Sequence, residues 1–92
     1  MEVSRYINIL KGHTKKVNWL VVWKDYLWSG SDDKTIKQWN ASGHCINTLE
    51  GHTAEIYNLL GWKDFMYSVD CYGTIRVWNI EGECDRDSRK QI

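Results

Sequence analysis

The stretch INILKGHTKKVNWLVVWKDYLWSGSDDKTIKQWNASGHC, Ile7 to Cys45, is followed without a gap by INTLEGHTAEIYNLLGWKDFMYSVDCYGTIRVWNIEGEC, Ile46 to Cys84. Both stretches are 39 residues long, and sliding one onto the other aligns them end to end. Identical pairs include Gly12/Gly51, His13/His52, Thr14/Thr53, Trp23/Trp62, Ser29/Ser68, Trp39/Trp78 and Cys45/Cys84. Others are conservative, such as Val17/Ile56 and Tyr26/Phe65. A fixed period of this size is the mark of a repeat architecture, in which each unit cannot bury its apolar faces alone. The organisation is therefore a lead-in over 1–6, a first repeat over 7–45, a second over 46–84 and a charged tail over 85–92.

Within each unit, short runs of β-branched and aromatic residues are broken by Gly, Asp, Asn and Lys-Asp pairs, the pattern of short strands. The first unit predicts strands at Tyr6–Leu10, Val17–Val22, Tyr26–Gly30 and Thr35–Asn40. The second predicts them at Cys45–Leu49, Ile56–Gly61, Phe65–Val69 and Thr74–Ile80. Lys24-Asp25 suits a tight hairpin, and Asp32-Asp33-Lys34 a turn. No stretch sustains a period of 3.6, so no helix is expected. Four strands per unit, with Gly-His early and Trp-Asn late, resemble the WD-repeat β-propeller family. The resemblance rests on LKGHT (10–14) followed by SGSDDKTIKQWN (29–40), and it runs from Ile7 to Cys84. Trp-Asn replaces the Trp-Asp that gives the family its name. The short Lys-Asp turn replaces a longer Pro-Asp-Gly type and implies a compact lower edge.

The resemblance implies a buried tetrad in each blade. In the first it falls on His13, Ser29, Asp33 and Trp39. Asp33 in its turn orients the imidazole, the imidazole bonds Ser29, and Ser29 accepts from the indole of Trp39, so every buried polar group has a partner. In the second, His52, Ser68 and Trp78 align, but Tyr72 stands where the Asp is due. Asp70 lies two residues earlier and on the same strand face. Either it reaches His52, or the loop is looser and His52 bonds backbone or water. Ser, His and Asp also compose a hydrolytic triad. That reading is set aside, because nothing marks an exposed nucleophile or an oxyanion hole.

Composition narrows the function further. The 92 residues are 42% hydrophobic and 26% charged, with 12 basic and 12 acidic side chains, a globular and electrically neutral balance. A nucleic-acid platform through Lys11, Lys15 and Lys16 is disfavoured, since Glu50 and Glu55 occupy matching positions of the second unit. No apolar run spans a membrane, and no secretory signal is visible at the N-terminus. Three cysteines, Cys45, Cys71 and Cys84, make no disulfide framework; they are expected to be buried small hydrophobes in a reducing intracellular compartment, cytoplasmic or nuclear. Their spacing, and that of the histidines, offers no zinc set. No cofactor and no catalytic residue is implied.

Two blades are too few. A 92-residue chain buries only roughly 60–65% of its unfolded surface, and propellers have about four to eight blades. Either the chain is a fragment of a longer WD-repeat adaptor, or copies associate. The initial Met and the charged ending DRDSRKQI favour a complete small chain. Cys45–Leu49 completes the first blade, whereas Asp85, Arg86 and Asp87 oppose completion of the second. Tyr6–Leu10 is the spare strand, expected to pair with Thr74–Ile80 of another copy, head to tail. The fold class is thus all-β, two four-stranded WD-repeat blades per chain, completing a six- or eight-bladed ring as a homo-oligomer with N-terminal strand exchange. Four copies are favoured over three because Trp19, Trp23, Trp28, Trp62 and Tyr67 fill wide wedges between blades. The function is a non-enzymatic scaffold with an unknown protein or peptide partner. By resemblance the binding face is Lys16, Asn18 and Asp32 in unit one and Glu55, Tyr57 and Cys71 in unit two. The alternative is an architectural cassette, natural or engineered, that only assembles.

Overall fold

The computed structural model describes residues 8–86. Among these residues eight strands form two four-stranded antiparallel sheets in simple meander order. The first contains β1 (Val17–Trp23), β2 (Tyr26–Ser31), β3 (Ile36–Trp39) and β4 (Cys45–Leu49). The second contains β5 (Ile56–Trp62), β6 (Phe65–Asp70), β7 (Ile75–Trp78) and β8 (Cys84–Arg86). No helix occurs among the described residues. Strand identity follows from the Val, Ile, Leu and aromatic runs, which suit a pleated half-buried surface.

The first hairpin of each sheet closes on two residues. Trp23 pairs with Tyr26, and Trp62 with Phe65. Lys24, Asp25 and Lys63 take left-handed backbone angles (φ 54, 67 and 56), the conformation whose twist matches the flanking strands. β3 and β7 are shorter than expected: Thr35, Asn40, Thr74, Asn79 and Ile80 fall outside them and into the turns.

Two expectations about the ends need correction. Of the proposed leading strand, Tyr6 and Ile7 lie outside the described residues, and Asn8–Leu10 forms no strand. The start of the tail, expected to resist pairing, adds to the second sheet as β8, with Val77 opposite Arg86 and Trp78 opposite Cys84. Backbone pairing needs no apolar side chain on an outer edge, which is why the charges do not prevent it.

The core lies between the sheets. β5 packs against β1 and β2, and Trp23, Trp28, Ile36, Leu49, Ile56, Leu59, Met66 and Trp78 form one buried cluster. Beyond its bulge, β1 turns Val21 and Trp23 to the second sheet and Leu20 and Val22 away; β5 turns Leu59 and Gly61 inward and Leu60 and Trp62 away. Two glycines let the backbones approach. A Cβ on Gly30 would stand 2.8 Å from Ile56 Cγ2, and one on Gly61 would stand 2.6 Å from Trp23 Cβ and closer still to its ring. Polar contacts then fix the joint. The Trp23 indole donates to the Lys63 carbonyl at 3.0 Å, and the Asn47 amide donates to the Glu81 carbonyl at 2.8 Å. The Asn8 amide holds the Ser42 carbonyl at 3.5 Å in the same relation to the first sheet.

The wide-wedge aromatics divide. Trp23 and Trp28 are buried in this joint, whereas Trp19 and Trp62 are exposed and Tyr67 is half-buried. Two of the cysteines are not core either: Cys45 is an exposed free thiol and Cys71 a half-buried one, while the Cys84 side chain lies outside what the structure describes. Cys45 and Cys71 each stand at a sheet end rather than between sheets.

Because Gly61 has no room for a side chain, Gly61→Ala is expected to cost about 1–3 kcal/mol, the usual scale of overpacking. Urea unfolding measures it; an unchanged midpoint would mean that Trp23 does not rest on Gly61.

Candidate functional site

In the first sheet the chain of bonds behind the rim is closed. The Trp39 indole donates to Ser29 Oγ at 2.9 Å. Ser29 Oγ lies 2.6 Å from His13 Nε2, and His13 Nδ1 lies 2.8 Å from Asp33 Oδ2. An indole can only donate and a carboxylate only accept, so the serine proton points to Nε2 and the imidazole keeps its proton on Nδ1. Asp33 is further held by the Thr14 amide at 3.0 Å, the Thr35 amide at 2.9 Å and the Thr35 hydroxyl at 2.6 Å. Burial pushes its pKa up, but the bonds from Thr35, His13 and Thr14 outweigh that and bring it down to about 2, from an ordinary 3.8.

The second sheet reaches the same arrangement by another route. The Trp78 indole donates to Ser68 Oγ at 2.8 Å, Ser68 Oγ meets His52 Nε2 at 2.5 Å, and His52 Nδ1 meets Asp70 Oδ2 at 3.0 Å. Of the two possibilities left open by the sequence, Asp70 as the partner of His52 is the one found. Tyr72 is exposed. In the first sheet Ser31 Oγ accepts the Asp33 amide to shape the turn, and Asp33 serves the histidine. In the second, Asp70 does both: Oδ1 accepts the Tyr72 and Thr74 amides at 2.9 and 3.1 Å while Oδ2 serves His52. Burial lowers the pKa of His52, against the raising influence of Asp70. Burial pulls Asp70 upward, but its bonds to His52, Thr74 and Tyr72 leave it lowered.

The connectivity matches a hydrolytic triad, yet Ser29 and Ser68 are 2% and 1% exposed and each receives an indole N–H. The arrangement ties the Gly-His loop to its sheet. It also fixes the rim. Bulges fall at Asn18 and at Tyr57, where two residues oppose one on the neighbouring strand, and a bulge re-aims the side chains beside it. A groove of about 510 Å³ results, lined by Lys16, Asn18, Trp19, Asp32, Glu55 and Tyr57. Asn18 bridges the sheets, donating to Asp32 Oδ1 at 2.6 Å and to the Ile56 carbonyl at 2.9 Å. The Asp32 and Cys71 amides donate to the Lys16 and Glu55 carbonyls at 2.8 and 3.0 Å.

Five of the six face residues expected from the sequence thus share one groove. Cys71 does not line it, but its thiol donates to Glu55 Oε1 at 3.4 Å. Glu55 is held below its ordinary pKa by its own backbone amide and by Cys71; burial and Glu55 push the Cys71 thiol up. Trp19 was expected between blades and instead borders the groove. Its counterpart one period on is Asn58, a polar side chain that already argues against a core position. No cluster of metal-binding side chains occurs among the described residues.

The family described as WD domain, G-beta repeat matches residues 4–40 and 43–79. The chain belongs to the WD-repeat family, whose members are generally non-enzymatic scaffolds that mediate protein–protein interaction. Among solved structures it is similar to the computationally designed Ika4 protein, with a TM-score of 0.74 and 29% identity over 85% of this chain and 49% of that one. The chain therefore spans about half the length of that protein. A search of curated proteins returned no match.

The titrations set an acid response. Asp33 contributes stability above its unfolded pKa near 3.8, lost as pH falls through about 2. His52 binds its proton less readily folded than unfolded, so stability declines as pH falls below about 6.5. Asp33→Asn is expected to cost about 2 kcal/mol at pH 7 and to flatten the acid limb; His52→Gln flattens the limb between pH 7 and 5. Thermal midpoints across pH test both, and an undiminished slope in either variant would refute its assignment.

Proposed function

We propose that the chain is a non-enzymatic interaction scaffold. Copies join head to tail into a closed ring, four copies with eight blades being favoured over three with six, and the rim groove takes a protein or peptide. The observation that carries this reading is that the two outer faces carry, one period away, the apolar counterparts of the residues that meet in the internal joint. Inside the chain, Trp23, Trp28 and Ile36 of the first sheet meet Ile56, Leu59 and Met66 of the second. One period on, the first set becomes Trp62, Tyr67 and Ile75; one period back, the second becomes Val17, Leu20 and Leu27. Val17, Leu20, Trp62 and Ile75 are exposed, Trp62 at 57%, and Val17, Leu20 and Leu27 border a cavity of about 560 Å³. Isolated proteins rarely leave such apolar faces wet.

Polar contacts carry over in the same register. The Trp23 indole bond to Lys63 becomes Trp62 to the Lys24 carbonyl of the next copy. The Lys24–Asp64 pair, 3.3 Å apart, becomes Lys63 with Asp25. Asn8 treats the first sheet as Asn47 treats the second, so residues 8–10 stand where a preceding blade would end. In strand exchange the leading strand of another copy takes the place beside Val77 and Trp78 that β8 holds within one chain. The surface thiol of Cys45 suits a reducing, intracellular compartment.

The likeness to a designed protein favours a second reading, an architectural cassette whose only property is assembly. Light scattering of the purified chain separates assembly from its absence: about four times the 10.9 kDa chain mass is expected, and a folded monomer at micromolar concentration would overturn the ring. Trp62→Ala, on an exposed side chain, is expected to dissociate the ring and leave each chain folded. Peptides selected from a displayed library are expected to lose binding on Tyr57→Ala or Lys16→Glu; no selectable peptide, or one indifferent to both changes, would leave the cassette.

A further inference from the structure

We propose that the joint between copies is wider and weaker than the joint inside each chain, and that Val22 and Val69 make it so. This rests on the ring reading, with a second copy of this chain as the occupant of the outer faces.

The internal joint is built on two glycines, one from each sheet. Gly61 of β5 lies beneath Trp23, and Gly30 of β2 lies beneath Ile56. Neither position has room for even one carbon: the added Cβ would stand 2.6 Å from Trp23 Cβ in one case and 2.8 Å from Ile56 Cγ2 in the other. Carbon atoms pack at about 3.5–4.0 Å.

At the outer faces both sockets are filled. One period back from Gly61 is Val22, and one period on from Gly30 is Val69. Their opposites are retained, since Trp62 replaces Trp23 and Val17 replaces Ile56. Val22 is 74% exposed and faces away from the chain's own second sheet. A copy docking in the internal register therefore brings Trp62 onto Val22 and Val69 onto Val17, three side-chain carbons where the internal joint tolerates none. The sheets must stand apart by about 1 Å more to restore ordinary contact. Ring joints then alternate, tight within a chain and loose between chains, and the ring opens at the loose ones into intact two-sheet units.

The test is the sign of an effect. Removing valine side chains from these faces subtracts apolar area, which by itself weakens association. If the valines hold the joint open, Val22→Gly with Val69→Gly instead tightens it, lowering the concentration of half-dissociation by about tenfold or more, the scale on which relief of an overpacked contact acts. Leu20→Gly is the control. It makes the same backbone change in the same strand, but Leu20 corresponds to Leu59, a side chain the internal joint accommodates, so this variant weakens association. Dilution series by light scattering read all three, with circular dichroism to establish that each chain is folded. An oligomeric parent with a double variant that is no tighter overturns this inference and leaves the ring standing. Monomers throughout, at every concentration, overturn both. A double variant that assembles at concentrations where the parent dissociates supports both.

Discussion

Trp23 lies on Gly61, and the way the two sheets meet follows from that contact. The indole is anchored at its far end by the Lys63 carbonyl and lies against Trp28, whose own indole donates back to the Trp23 carbonyl at 2.9 Å. Two large rings are thus fixed in position before any aliphatic side chain is considered. Ile56 and Leu59 then have one place to go, over Gly30. The sheets approach because side chains are missing at two chosen points, and interiors packed to crystal-like density transmit such choices over the whole interface.

Behind the rim, polar side chains do what apolar ones do between the sheets. A Gly-His loop has backbone groups of its own and no regular partner for them. His13 and His52 each draw that loop onto the sheet by pinning themselves to a serine already held by an indole. Since a buried polar group without a partner is costly, such a chain is stabilising only when complete. Asp70 shows how completeness survives substitution. Moving the carboxylate to the end of β6 lets one side chain shape the turn and orient the histidine, which frees position 72 for a solvent-facing tyrosine.

Much of this was legible in the residues. The 39-residue register located β1, β2, β4, β5 and β6 to within one residue, because strand periodicity and the Lys-Asp hairpins are local signals. The histidine, serine and tryptophan positions followed from the resemblance to WD repeats, carried to the second unit by its alignment with the first. Three features were not legible, for distinct reasons. Residues at the end of β3 and β7 have strand-like composition, but the Asn40 and Asn79 side chains accept backbone amides and turn the chain early. β8 begins a charged sequence, Asp85-Arg86, that does not read as a strand, although its backbone pairs with β7. Trp19 reads as a side chain filling a wedge between blades, whereas the bulge one residue earlier sends it to the rim.

Asn47 belongs to the first sheet and hooks a turn of the second, while Asn8 hooks a turn of the first. The duplicated segment and the folded sheet are therefore out of step: the segment starts at Ile7, the sheet at Val17. Units laid down this way overlap like roof tiles, each fastened by the trailing lip of the one before. A gene that copies such a segment tandemly never produces a separate domain on a linker; every added copy is already stitched to its predecessor, so the number of tiles can change without any new fastening being invented.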